Sequence, residues 1–233
     1  MQVHIGGSHV KGRIGIVIGI AVFMALPVLA IGAQGAVSGR VTIQEKPGET
    51  TSDLANAVIY LVPKVGTARF SEQKTQMAMS GRQFSPRIRV VTPGSTLEYP
   101  NQDPFSHNIF STAPGAAFDL GVYGSNTSKS TTFKKAGAFP VYCNIHAKMT
   151  AYVVVVATPY YGQPTADGRW SLPSVPAGKY ELHVWHERAP ELIKAIDLTA
   201  SGMAGVDATL DAKGFTVAEH KNKFGQKYSD IRY

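Results

Sequence analysis

The sequence predicts an all-β chain built as two small β-sandwiches, and three observations carry that prediction. Apolar and polar residues alternate in many short runs, the period of a half-buried strand. Turn sequences punctuate those runs, among them Lys46-Pro47-Gly48, Pro93-Gly94, Thr165-Ala166-Asp167-Gly168 and Pro176-Ala177-Gly178. No long amphipathic helix is written anywhere.

The strands follow in order. Val37, Gly39, Val41 and Ile43 alternate with Ser38, Arg40 and Thr42; after a polar turn, Ala57, Ile59 and Leu61 alternate with Val58, Tyr60 and Val62 until Pro63 ends the run. Residues 64–73 read as a loop. A second block spans 74–157. Ile88 and Val90 alternate with arginines, Leu97 and Tyr99 follow the Pro93-Gly94 turn, and His107 to Ser111 is a short apolar strand. A Gly- and Ser-rich segment from Gly121 to Ser130 leads to Thr131-Thr132-Phe133. Phe139, Val141 and Cys143 then share one strand face, and Tyr152 to Val156 is a nearly continuous apolar strand of the kind a sandwich core buries. From 158 the texture of the start returns, with strands at Trp170–Leu172, Tyr180–His186, Leu192–Leu198 and Val206–Leu210. The basic tail, 213–233, is either docked or loose.

The N-terminal 1–36 reads as a leader. Lys11 and Arg13 precede an uncharged apolar stretch from Ile14 to Ile31, and small residues follow at Gly32, Ala33, Gly35 and Ala36. That order describes a secretory signal peptide; an uncleaved membrane anchor is the rival reading, because the stretch is about as long as a minimal span. Either way the rest is expected outside the cytoplasm, periplasmic or otherwise exported, with anchoring to the inner membrane as an option. The net charge of +7 is scattered rather than clustered, and no nucleic-acid motif accompanies it, so the chain is not read as a nucleic-acid binder.

An exported chain usually spends cysteines in pairs, yet this one has a single Cys, Cys143. An unpaired thiol in an oxidising compartment needs burial or a bound partner. Its neighbours offer one: Cys143-Asn144-Ile145-His146-Ala147-Lys148-Met149 presents thiolate, imidazole and thioether in one loop after a strand, and His107 opens another strand upstream. With 7 His and 6 Met in the chain, that coincidence with the only Cys arises by chance about 1% of the time, allowing for about ten loop lengths. Soft sulfur suits Cu(I) and imidazole suits either oxidation state, so two His, one Cys and a weak axial Met define a type 1 copper site. Zinc would not normally recruit Met, a dinuclear copper centre needs a second Cys, and covalent haem needs Cys-x-x-Cys-His.

Asp103-Pro104-Phe105-Ser106-His107-Asn108 and Tyr142-Cys143-Asn144-Ile145-His146-Ala147-Lys148-Met149 resemble the cupredoxin family, of the plastocyanin and amicyanin type. The resemblance covers about 74–157 and implies a Greek-key β-sandwich. His107, Cys143 and His146 would be equatorial copper ligands, Met149 the axial one, and Asn108 would hydrogen-bond across to the Cys loop. Where those relatives usually carry Pro between Cys and His, this chain has Asn144-Ile145. The outer segments, through Thr165 to Leu172 and Val175 to Leu182, resemble the carboxypeptidase regulatory-like, transthyretin-like sandwich. On that resemblance 37–63 and 158–212 form one sandwich with the copper domain inserted between them, a plain tandem being the alternative.

The expected activity is single-electron transfer by an exported blue-copper protein, with a c-type cytochrome or an exported dehydrogenase or reductase as partner. A copper-storing or -delivering module without redox turnover is the alternative. Enzymatic turnover is not expected, since side chains would fill every coordination position. His183 and His186 point to opposite faces of one strand and so are read as surface or hydrogen-bonded histidines.

Overall fold

The computed structural model describes residues 1–4, 6–7, 34–217 and 220–228. The expected leader, with its apolar stretch from 14 to 31, lies almost wholly outside them. Among the described residues, no helix is long and apolar enough to cross a membrane.

Alternation over the first flank yields β1 (Gln34–Gln44) and β2 (Val58–Pro63), with a single 3-10 turn at Leu54–Asn56 between them. The central segment forms β3 (Lys74–Gln76), β4 (Ala78–Ser80), β5 (Gln83–Ser85), β6 (Ile88–Val91), β7 (Ser95–Pro100), β8 (His107–Ser111), β9 (Phe118–Tyr123), β10 (Ser128–Phe133), β11 (Gly137–Cys143) and β12 (Thr150–Val155). The last segment forms β13 (Tyr161–Gly162), β14 (Arg169–Pro176), β15 (Gly178–His186), β16 (Ala189–Leu198) and β17 (Ala208–Asp211). The stretch read only as Gly- and Ser-rich is therefore ordered: β9 and β10 flank a turn at 124–127. β10 is polar up to Phe133, and β9, though largely apolar, is an edge strand whose Val122 faces solvent, so neither shows a clean alternation.

The central strands make a five-stranded sheet ordered β6-β12-β11-β8-β9, facing a three-stranded sheet ordered β10-β7-β3, with β4-β5 as a separate hairpin. Parallel pairs (β12 with β6, β3 with β7) sit among antiparallel ones, a non-sequential order of Greek-key character. Met77, Leu97, Ile109, Phe133, Val141 and Val153 fill the space between the sheets.

The flanks pair with each other. β1 lies between β14 and β17, and β2 between β13 and β15, so residues 34–63 hydrogen-bond to strands from 161–211. Val37, Val41, Ile59, Leu61, Leu182 and Leu210 make their core. At Gly39 a Cβ would stand 2.1 Å from the carbonyl oxygen of Val206, so only glycine lets the 203–206 segment lie against β1. β2 is buried on both faces: Val58 turns away from Ile59 and Leu61 to meet Ile88, Val154 and Val156 of the central sheet. Burying side chains of that size is worth about 1.5–3 kcal/mol each, which makes the seam a substantial apolar contact. Arg188 ties the flank together, forking onto Glu45 (2.8 Å twice) and Asp53 (2.6 and 2.9 Å).

His183 and His186 point to opposite faces, as strand geometry requires. His183 stacks on Tyr60 at 4.6 Å and meets Glu191, whereas His186 is buried against the Asp53 carbonyl.

Candidate metal centre

The central sheet brings the sequence-distant residues together through register. Cys143 pairs with Ile109 and Tyr142 with Phe110 across the antiparallel β11–β8 ladder. The start of β8 thus lies beside the end of β11, and His107, two residues before Ile109, shares the core-facing parity of Cys143. The loop after β11 closes on itself: Met149 N–H donates to His146 O at 2.9 Å and Cys143 N–H to Met149 O at 3.2 Å. It is pinned to β8 by Asn144 N–H donating to Asn108 O at 2.8 Å.

His107, Cys143 and His146 converge. His107 Nδ1 is 3.5 Å from Cys143 Sγ, His146 Nδ1 is 3.6 Å from the same sulfur, and the two Nδ1 atoms are 3.2 Å apart. A point equidistant from all three lies about 2.0 Å from each, near the ~2.0–2.3 Å that zinc, a comparable ion, keeps to imidazole nitrogen and thiolate. His107 and Cys143 are fully buried, Met149 is 1% exposed, and His146 is partly exposed. Phe105 packs at 5.4 Å from both imidazole rings, with the Arg82 guanidinium 4.8 Å above it.

The ring nitrogens are oriented as ligands need. His107 Nε2 is 2.9 Å from Asp103 Oδ2. With the proton on Nε2 donated to that carboxylate, the Nδ1 lone pair faces the sulfur and the second imidazole. Asp103 is itself held by the N–H groups of Gly81 (2.6 Å) and Arg82 (3.0 Å). Burial works against its ionisation, yet the Arg82 N–H, the His107 ring and the Gly81 N–H hold its pKa below the ordinary carboxylate value. His146 is kept below its ordinary value, by burial first and then by the neighbouring His107 ring and the Arg82 guanidinium, with Asp103 opposing. A neutral imidazole is the form that binds metal.

Asn108 reaches the Cys loop through its backbone rather than its side chain. Its amide nitrogen donates to Asp119 Oδ1, and its Oδ1 has no hydrogen-bond partner among the described residues. It is the backbone carbonyl of Asn108 that holds the Cys loop. Strand parity sends the side chain to the face opposite His107, where it is buried beside Asp119. The sequence reading missed Asp103 as the partner of His107. Its signal was there, an acid four residues ahead of the histidine. It also missed the tail: Tyr228, His220 and Lys223 contact the ligand end of the sheet, and no periodicity marks them.

No protein-family model matches the chain, and no curated protein matches it. Among solved structures, part of the chain is similar to a purple cupredoxin from Nitrosopumilus maritimus (21% identical, covering 35% of this chain and 99% of that one, TM-score 0.32). Another is a reduced amicyanin variant (22%, covering 43% and 99%, TM-score 0.33). A third is a copper-containing nitrite reductase from Thermus scotoductus (23%, covering 40% of this chain, TM-score 0.35), of which the chain spans 24%. The chain is a potential metal-binding protein with an all-β, Greek-key-like sandwich around a His/Cys/His cluster.

Proposed function

We infer that this chain is a mononuclear type 1 copper protein of the cupredoxin kind, passing single electrons between redox partners outside the cytoplasm. One observation carries the reading: His107 Nδ1, Cys143 Sγ and His146 Nδ1 face a common point in a buried pocket. Met149, buried beside them at the loop's end, would be the fourth residue to hold the ion. A copper ion held there would supply a one-electron Cu(I)/Cu(II) couple.

The protein's part is to hold still. Asp103 fixes the ring of His107, the Asn108 carbonyl fixes the loop, and Phe105 shields both imidazoles from water. A donor set that does not rearrange between oxidation states keeps the barrier to electron transfer low. His146 is the partly exposed ligand and so the point of electron entry and exit. Arg82 and the exposed Lys148 flank it, favouring a partner with an acidic docking face, such as a c-type cytochrome or an exported reductase. With four side chains as ligands no coordination position is left for a substrate, so a carrier is favoured over an enzyme. The flanking strands are read as one regulatory-like sandwich interrupted by the copper domain, an adaptor beside the redox module.

Cu(II) added to the metal-free protein should give one equivalent bound, an intense visible band, and fast reversible one-electron voltammetry. A colourless copper-loaded protein would overturn the reading. Slow, irreversible waves would indicate storage or delivery of the ion.

A further inference from the structure

Beyond β17 the chain crosses to the ligand end of the central sandwich. Residues 222–226 form a closed polar turn there. Asn222 N–H donates to Gln226 O, Gly225 N–H to Asn222 O, and the N–H groups of Phe224 and Gln226 both donate to Asn222 Oδ1, all at 2.9 Å. Gly225 takes the positive φ of 79° that the turn requires. Asn222 is only 2% exposed. A loose tail neither buries an asparagine nor satisfies it.

From this turn the contacts run to the ligand loop. Tyr228 OH donates to the Cys143 carbonyl at 2.7 Å, and Lys223 N–H donates to Asn144 Oδ1 at 2.9 Å. Lys223 Nζ pairs at 2.7 Å with Asp119, the carboxylate that also takes the Asn108 amide. Aromatic rings back these bonds. His220 stacks on Tyr142 at 4.1 Å and 18°, Tyr142 packs on Phe110, and Tyr228 meets His220 edge-on at 5.1 Å.

The Cys143 main chain is thus fixed from both sides, its N–H by Met149 O and its carbonyl by Tyr228. No proline stiffens the stretch between Cys143 and His146, so rigidity there has to come from contacts. We propose that residues 220–228 brace the ligand loop, with Tyr228 as the positioning residue that sets the Cys143 backbone from which the sulfur hangs. The brace rests on the reading of His107, Cys143 and His146 as a metal site. It makes the chain's C-terminal segment, 85 residues beyond the cysteine, a structural component of that site.

The test uses the full-length, metal-free protein. Cys143 is its only thiol and is fully buried, so iodoacetamide reaches it only when the loop opens. Tyr228→Phe removes one hydroxyl and should speed alkylation about fivefold, the weight of one hydrogen bond, at a rate whose urea dependence stays well below that of global unfolding. His220→Ala, which removes the ring stack, should act in the same direction; Lys221→Ala should leave the rate as in wild type. From the copper-loaded protein, release of the ion to a chelator should quicken in parallel with Tyr228→Phe. Equal alkylation rates in wild type and Tyr228→Phe would overturn the brace. An alkylation rate with the full urea dependence of global unfolding would overturn it too, since the cysteine would then be reached only when the whole fold opens and the tyrosine would serve the fold alone. The alkylation arm needs no copper. A colourless copper-loaded wild type with faster alkylation in Tyr228→Phe would sink the copper reading and leave the brace standing.

Discussion

Asp103→Asn tests the orientation of His107 most directly. The carboxylate lies 2.9 Å from His107 Nε2 and is 4% exposed. Adding the width of an imidazole and a bond to the ion puts its charge roughly 7 Å from the metal, where a unit charge at an effective dielectric near 20 interacts by about 2.4 kcal/mol. The carboxylate favours the more positive, oxidised state, so removing its charge should raise the reduction potential by ~100 mV for a one-electron couple. There is a structural cost as well. Asp103 accepts from both Gly81 N–H and Arg82 N–H, and an asparagine turned to keep one acceptor sets its NH2 against the other donor. One unsatisfied buried donor costs about 1–3 kcal/mol. Voltammetry of the copper-loaded variant reads the first effect and urea unfolding of the metal-free variant the second. A potential that is unchanged, or that falls, would refute the placement of Asp103 behind the His107 ligand.

Cys143→Ser should abolish the visible band while leaving the thermal melt of the metal-free protein within a few degrees, because the side chain is small and its strand is held by neighbours. Met149→Leu conserves volume in a buried position and should cost under about 1.5 kcal/mol, keep the band and raise the potential; loss of copper binding would count against an axial role. Arg188→Ala strands Glu45 and Asp53 beside each other at the flank and should cost about 3 kcal/mol in urea unfolding. In the wild type, Glu45 is lowered to about 2, first by its bond to Arg188 and then by its bond to Thr51. A depressed carboxylate contributes stability in full above its unfolded value near 4.5, and that contribution fades as pH falls toward 2. Circular dichroism should show acid destabilisation across that window, and Arg188→Ala should flatten it. Electron transfer to an acidic partner should slow with added salt, checked by stopped-flow mixing.

Much of this molecule is legible in one dimension. Cys143, His146 and Met149 stand within one loop, and a thioether beside thiolate and imidazole is what points the expectation to copper rather than zinc. Period-two alternation in Phe139–Cys143 and Tyr180–His186 gives strands whose inward residues can be named in advance, because a strand's faces follow from parity. β10 escaped because Ser128–Thr132 offers no apolar alternation, and β9 because its apolar residues are only partly buried, Val122 facing solvent.

The meeting of His107 with Cys143 required the β8–β11 register, a pairing across 36 residues that no local pattern encodes. Parity then decided that the Asn108 side chain leaves the loop and its carbonyl stays. The tail is the extreme case: Tyr228, Lys223 and His220 carry no signal as a string, since their partners are a carbonyl, an amide and a ring supplied by distant segments. The sequence by itself determined which donors are available and which faces turn inward, both being local properties of residue type and alternation. Only the tertiary structure decided which donors meet and what holds them, because hydrogen bonds and ring contacts between remote segments exist only once the chain has closed on itself.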